Sequence, residues 1–150
     1  MAIDLNQFAP NEPMPGLYVY MANLPQIHNA IVSANQSTAL TYGAVVVLDS
    51  AVSNADAPVV KQAAVSNTPF GVITYTPVKA SFASGERVAI ARKNDIVWMP
   101  KVTGAITQGA TLYFNTSNQV TTTQPTNGVV LGKAVTSAAS ADAYVQVELA

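Results

Sequence analysis

The side chains that could do chemistry are few and scattered. His28 is the single histidine, set between Ile27 and Asn29 in a proline-rich stretch. General acid–base work by histidine needs an orienting partner and a nucleophile within reach. Neither stands near it in sequence, so His28 reads as structural or solvent-exposed. The chain has no Cys, which removes disulfides, thiolate metal sites and a cysteine nucleophile. Zinc or iron would need more His or Cys than the chain offers. The eight acidic residues lie too far apart in sequence to suggest a carboxylate pair or an oxygen-rich calcium loop. The stretch GVVLGKA at 128–134 superficially resembles a phosphate loop. It has three residues between its glycines rather than four, and Ala134 stands where Ser or Thr would hold magnesium. No nucleophile elbow or dinucleotide fingerprint appears. The expectation is a protein that is not an enzyme, with no cofactor and no metal.

One segment concentrates the unusual residues. GERVAIARKNDIVWMPKVTGAITQGATLYFN, from Gly85 to Asn115, holds the only Trp, four of the seven basic residues and three glycines. Arg87, Arg92, Lys93 and Lys101 around Trp98 could form a strip for single-stranded nucleic acid. The formal net charge of -1 and the small number of cations favour a solvated basic edge instead, one that discourages edge-to-edge aggregation or meets an acidic protein. No nucleic-acid partner is expected. Trp98 is read as core, sharing a face with Ile96. Glu86 and Asp95 flank the turn and are expected to pair with Arg87 or Arg92 across it.

The elements that position these residues read as β. ERVAIAR (86–92) and DIVWMPK (95–101) alternate and are joined at Lys93-Asn94, where Asn tolerates positive φ; a hairpin is expected. AVVVLD (44–49) and FGVITYT (70–76) are strands of the buried type. ATLYFN (110–115) and GVVLGKAV (128–135) follow, and in AYVQVELA (143–150) Val145, Val147 and Leu149 point in. Seven or more short strands imply an all-β fold, a small β-barrel or β-sandwich, with helix scarce. GAVVVLDS (43–50) also matches GATLYFNT (109–116), and each precedes an apolar-Gly step, FGVI or LGKA. Duplication and the common texture of β proteins both account for that match.

Residues 1–40 differ. Pro10, Pro13, Pro15 and Pro25 exclude a regular helix or central strand there. The stretch is assigned as an extended N-terminal arm, with residues 41–150 as the β domain. Within the arm GLYVYMANL suggests a short edge strand and QIHNAIVSA a turn or two of helix. Its apolar residues favour docking over disorder. Charged residues make up only 10% of the chain, against about 25% in typical soluble domains. Much of the surface is therefore suited to other protein surfaces. The opening residues lack a positive start and an apolar core, and no apolar run approaches a membrane span. Synthesis in the cytoplasm and no membrane partner are expected.

The 85–115 segment resembles one found in structural cement, or capsid decoration, proteins of tailed bacteriophages. The resemblance rests on Gly85, Val88, Ala89, Ile90, Ile96, Trp98, Ala105, Ile106, Gly109, Tyr113, Phe114 and Asn115. PFGVIT before it and VVLGKAVTSAASADAYVQVELA after it extend the likeness over residues 43–150. It implies a β-rich, non-enzymatic protein on the outer surface of the virion head, commonly a homotrimer clamping neighbouring major capsid protein subunits. On that reading Leu17, Tyr18, Tyr20, Leu24 and Ile27 of the arm are expected to contact the capsid, and Arg92 and Asn94 to contact a neighbouring subunit. The alternative is a glycan- or receptor-binding β module of a phage tail fibre.

Overall fold

The computed structural model describes residues 13–20, 28–54 and 56–150. Among them no helix occurs, and thirteen short strands carry the fold. The all-β expectation holds, and the barrel form is realised. β2 (His28–Val32), β4 (Val45–Leu48), β5 (Val59–Gln62), β6 (Gly71–Ile73) and β8 (Arg87–Ala91) form a closed barrel in the order β2-β5-β4-β6-β8. Two small strands, β3 (Leu40–Thr41) and β7 (Ser81–Phe82), pair beside it. A six-stranded sheet follows in the order β1-β9-β13-β12-β10-β11. Its strands are β1 (Tyr18–Tyr20), β9 (Ile96–Pro100), β10 (Thr111–Phe114), β11 (Val120–Thr121), β12 (Val130–Ala134) and β13 (Tyr144–Leu149).

The second sheet is a copy of the first barrel. Val46 of β4 stands opposite Gly71 of β6, and Leu112 of β10 stands opposite Gly132 of β12. The copy of the parallel β2–β5 ladder is a single parallel bridge, Lys101 to Val120. Ser33 N donates to Val60 O at 2.8 Å, and at the matching place Val102 N donates to Val120 O at 3.0 Å. The bridge closes a second ring with the same strand order as the first. The Gly-Ala repeat seen in sequence therefore marks a duplicated barrel. Gly43 (φ 81°) and Gly109 (φ 82°) start corresponding strands in a conformation that costs glycine little. Their N–H groups donate to Ile73 O and Ala134 O at 2.7 and 2.8 Å. Asp49 and Asn115 end the strands, their Oδ1 atoms accepting from Ala51 N at 3.2 Å and Ser117 N at 2.9 Å.

Each barrel has an apolar interior. Val46, Val60, Ile73, Val88 and Ile90 fill the first; Val97, Met99, Leu112, Phe114, Val145 and Val147 fill the second. Val45, Ala63, Val72 and Ala91 alternate with the first set and pack into the second core. This explains why AVVV and GVI are continuous apolar runs: both faces of those strands are covered. Polar contacts cross the same seam. Asn118 Oδ1 accepts from Val45 N at 3.0 Å and Gln62 Nε2 at 2.7 Å, and Val129 N donates to Val65 O at 2.9 Å.

Three local expectations are corrected. His28–Val32, within the stretch read as arm and a turn of helix, is a barrel strand. It is paired on one side with β8 and on the other with β5, and Ala30 and Val32 are buried; ladder pairing on both edges overrides a weak helical pattern that lacks a cap. The Lys93-Asn94 reversal is tight: Asn94 has φ 71° and Asp95 N donates to Arg92 O at 3.0 Å. Yet β8 and β9 do not form a hairpin. β8 pairs with β2 and β6, and β9 pairs with β1 and β13, so the turn carries the chain from one barrel to the other. Trp98 is not core. β9 takes its inward face from β13, where Val147 opposes Val97 and Val145 opposes Met99. Those four are fully buried, whereas Ile96 and Trp98 lie half-buried on the outside.

Gly71 and Gly132 test the duplication. A Cβ at Gly71 would drive into Ala91 O, and one at Gly132 into Glu148 O, the matching atom of the second barrel. Gly71→Ala and Gly132→Ala should each lower unfolding free energy by about 1–3 kcal/mol, measured by urea denaturation. Two glycines in equivalent positions should give similar losses.

Candidate functional site

The residues singled out from sequence do not converge on one place. Leu17 is half-buried, and its carbonyl accepts from Trp98 N at 2.8 Å. Tyr18 and Tyr20 belong to β1, opposite Val97 and Ile96. Gly16 anchors this segment: it is buried at φ 72°, its N–H donates to Trp98 O at 2.8 Å and its carbonyl accepts from Tyr75 N at 3.0 Å. A side chain at Gly16 would strike Ile73 O and Gly43 N. Residues 13–20 are thus stitched across both barrels. Leu24 and Ile27 lie outside the described residues.

At the inter-barrel turn the Arg92 guanidinium lies 3.9 Å from the centre of the Phe70 ring, a cation–π contact. Its backbone N–H donates to Asp95 Oδ2 at 2.8 Å. Asn94 is exposed, and its N–H donates to Leu149 O at 2.8 Å. Beside Asn94 runs a groove of about 380 Å³, lined also by Val130, Lys133, Glu148 and Leu149.

The basic cluster disperses. Arg87 is exposed on the first barrel, and Lys93 is exposed at the turn. Lys101 is buried in the second barrel at the position Val32 holds in the first, and its Nζ donates to Gly104 O at 2.6 Å. The acids find other partners than expected. Glu86 pairs with Lys79 and accepts from Ala83 N at 2.6 Å; Lys79 foremost, then that N–H, holds its carboxyl below the ordinary value. Asp95 turns back on Arg92 N within its own turn. No hairpin exists for the expected pairing to span, and Glu86 takes Lys79 as its partner. Among the described residues no three His, Asp or Glu gather as a metal site would require.

A densely connected ionisable group is Asp49, at the end of the first barrel, 3% exposed. Its Oδ2 accepts from Ser33 Oγ at 2.6 Å and Asn35 Nδ2 at 3.0 Å, and its Oδ1 from Lys61 Nζ at 3.1 Å. The Ser33 hydrogen bond, opposed by burial and aided by Asn35, Lys61 and the Ala51 N–H, holds the carboxyl far below the usual carboxylate range. The cluster ties β2, β4 and β5 together where the ring closes. It is a clasp rather than a reaction centre.

A groove that the sequence reading missed lies on the outer face of the second barrel. It encloses about 470 Å³ among Trp98, Tyr144, Pro13, Thr136, Ser137 and Asp142. The signal was present in the inward alternation of Val145, Val147 and Leu149. Only the β9–β13 register turns that alternation into an outward Trp98.

A comparison with protein-family models matches residues 26–149 to the family described as phage cement protein. The span runs from the first barrel strand to the last and covers most of the chain. The chain belongs to the phage cement protein family. No curated protein matches it. Membership gives it a structural role in a phage virion, in association with the capsid. The family is a structural one, in keeping with a fold whose densely connected polar cluster serves ring closure. The docked segment 13–20 precedes the matched region.

Asp49 supplies a pH test. A depressed folded-state carboxyl contributes stability that is full above the ordinary Asp value near 4 and is lost as pH falls toward the folded value. The gap in melting temperature between the native chain and Asp49→Asn should be widest at pH 7 and should shrink below about pH 4, read by thermal scans at pH 7, 4 and 3.

Proposed function

We propose that this cement protein acts as a homotrimer on the outer surface of the head and clamps neighbouring major capsid protein subunits. The observation that carries this reading is the family match, which takes in both barrels. A clamp needs contact area rather than chemistry, and interfaces of standard size bury roughly 1,600 Å² in total. The surface suits such contacts. It is poor in charge, and Val78, 91% exposed, stands out among large apolar side chains.

The capsid contact is assigned to the N-terminal segment, with Leu17, Tyr18, Tyr20, Leu24 and Ile27 as its apolar residues. Backbone stitching of residues 13–20 to both barrels gives such a contact a firm base, so a load on the segment passes into the β framework. The subunit contact is assigned to the turn at Arg92 and Asn94. The adjoining groove with the part-exposed Val130 offers a neighbouring copy an apolar recess. A head-to-tail contact of this kind closes into a ring when its rotation fits three copies.

Two measurements test this. Light scattering should give a solution mass three times the 15.6 kDa of the chain. The native protein should co-sediment with empty phage heads, whereas deletion of residues 1–24 should remove that binding while far-UV circular dichroism retains the β signal. Full decoration by the truncated chain would refute the assigned capsid contact.

A further inference from the structure

The duplication separates what the fold requires from what it does not. Trp98 faces Gln146 across the β9–β13 ladder, as Asn29 faces Ala89 across β2–β8. Tyr144 likewise holds the place of Arg87. The match is fixed by hydrogen bonds: Val135 N donates to Gln146 O, and Thr74 N to Ala89 O, both at 2.9 Å. The turns beside the grooves correspond too, with Ala139 N donating to Asp142 Oδ2 and Ala83 N to Glu86 Oε2, both at 2.6 Å.

Both barrels carry a groove beside the second of these positions, Arg87 in one and Tyr144 in the other, though Asn29 does not line the first as Trp98 lines the second. The first, of about 310 Å³, is lined by Tyr75, Lys79, Arg87 and Val78. The second, of about 470 Å³, is lined by Trp98 and Tyr144. The hollow comes with the fold, and its lining comes with the sequence. One barrel folds with Asn and Arg at the two positions, so the aromatic pair of the other is not a folding requirement.

We propose that the Trp98–Tyr144 groove is a binding site for a neutral saccharide. Its volume falls within the roughly 300–1,000 Å³ of small-ligand clefts. Aromatic rings present flat, electron-rich faces, which suit the C–H face of a pyranose. Around them stand groups matched to sugar hydroxyls. Asp142 Oδ1 and the Thr136 hydroxyl have no hydrogen-bond partner among the described residues, while Asp142 is fixed in place through its other oxygen. Among the described residues no cation lines the groove, which disfavours an anionic ligand. Its open, mixed wall differs from the enclosed apolar socket that anchors a protein side chain. The proposal goes beyond the capsid-binding role and does not depend on it.

Trp98 is the only tryptophan, so its emission reports this groove alone. The intact protein is titrated with chitobiose, maltose, lactose and mannobiose. At least one should shift the emission saturably. Tyr144→Ser should weaken that response about tenfold, and Thr136→Val should weaken it as well. Arg87→Ser, the same position in the other barrel, should leave it unchanged. A panel that produces no saturable shift overturns the proposal, as does a shift indifferent to Tyr144→Ser and Thr136→Val. An emission change produced by empty heads and by none of the sugars also overturns it and assigns the groove to the capsid.

Discussion

Everything in this molecule depends on ring closure between parallel neighbours. A sheet of five short strands has two edges, each a row of unpaired N–H and C=O groups. Here the first strand of each barrel meets the third in parallel, through Ser33 and Val60 in one and Val102 and Val120 in the other. Closure removes the edges and creates an interior for Ile73 and Ile90 or for Leu112 and Phe114. The Asp49 clasp holds the point of closure in the first barrel, where Ser33 and Lys61 come from the two strands that must meet. In the second, the single bridge is accompanied by Lys101 folding its ammonium onto Gly104 O.

Closure has a consequence for how the two barrels join. The first ring is closed and β1 adds to β9 beside the second, so the union of the two barrels falls mainly to side chains, helped by the Val129 N–H on Val65 O. Strands β4, β6 and β8 bury one face in their own barrel and offer Val45, Val72 and Ala91 to the neighbour's core. The turn at Asn94 is pinned by the last strand, with hydrogen bonds to and from Leu149. Residues 13–20 bind across the outside, through Gly16 to Trp98 and Tyr75. For a structural protein of a virion this arrangement is apt, because force applied to either barrel or to the segment is shared through a common core.

Much of this was legible in the chain. The alternation of Val145, Val147 and Leu149 fixed the inward face of the last strand, and the Gly-Ala repeat marked corresponding strand starts, with Val46 opposite Gly71 in one barrel and Leu112 opposite Gly132 in the other. The 85–115 segment pointed to the family that the full comparison then matched. What escaped was long-range. Lys93-Asn94 shows that the chain reverses tightly, but the turn chemistry is the same whether the flanking strands pair or diverge. IVWM alternates equally well with either face inward, and only the register against β13 buries Val97 and Met99. HNAIV is short and weakly patterned, and two distant ladders made it a strand. The groove was hidden for the same reason, since Trp98 and Tyr144 are 46 positions apart in the chain and adjoin only through that register.

The central proposal is mechanical: that this protein of the phage cement family strengthens a head by joining its parts. Heads carrying and lacking it should be heated in parallel while DNA release is followed with an intercalating dye. The account predicts release at a higher temperature from decorated heads, with the gain scaling with occupancy. Release at the same temperature at full occupancy would contradict it.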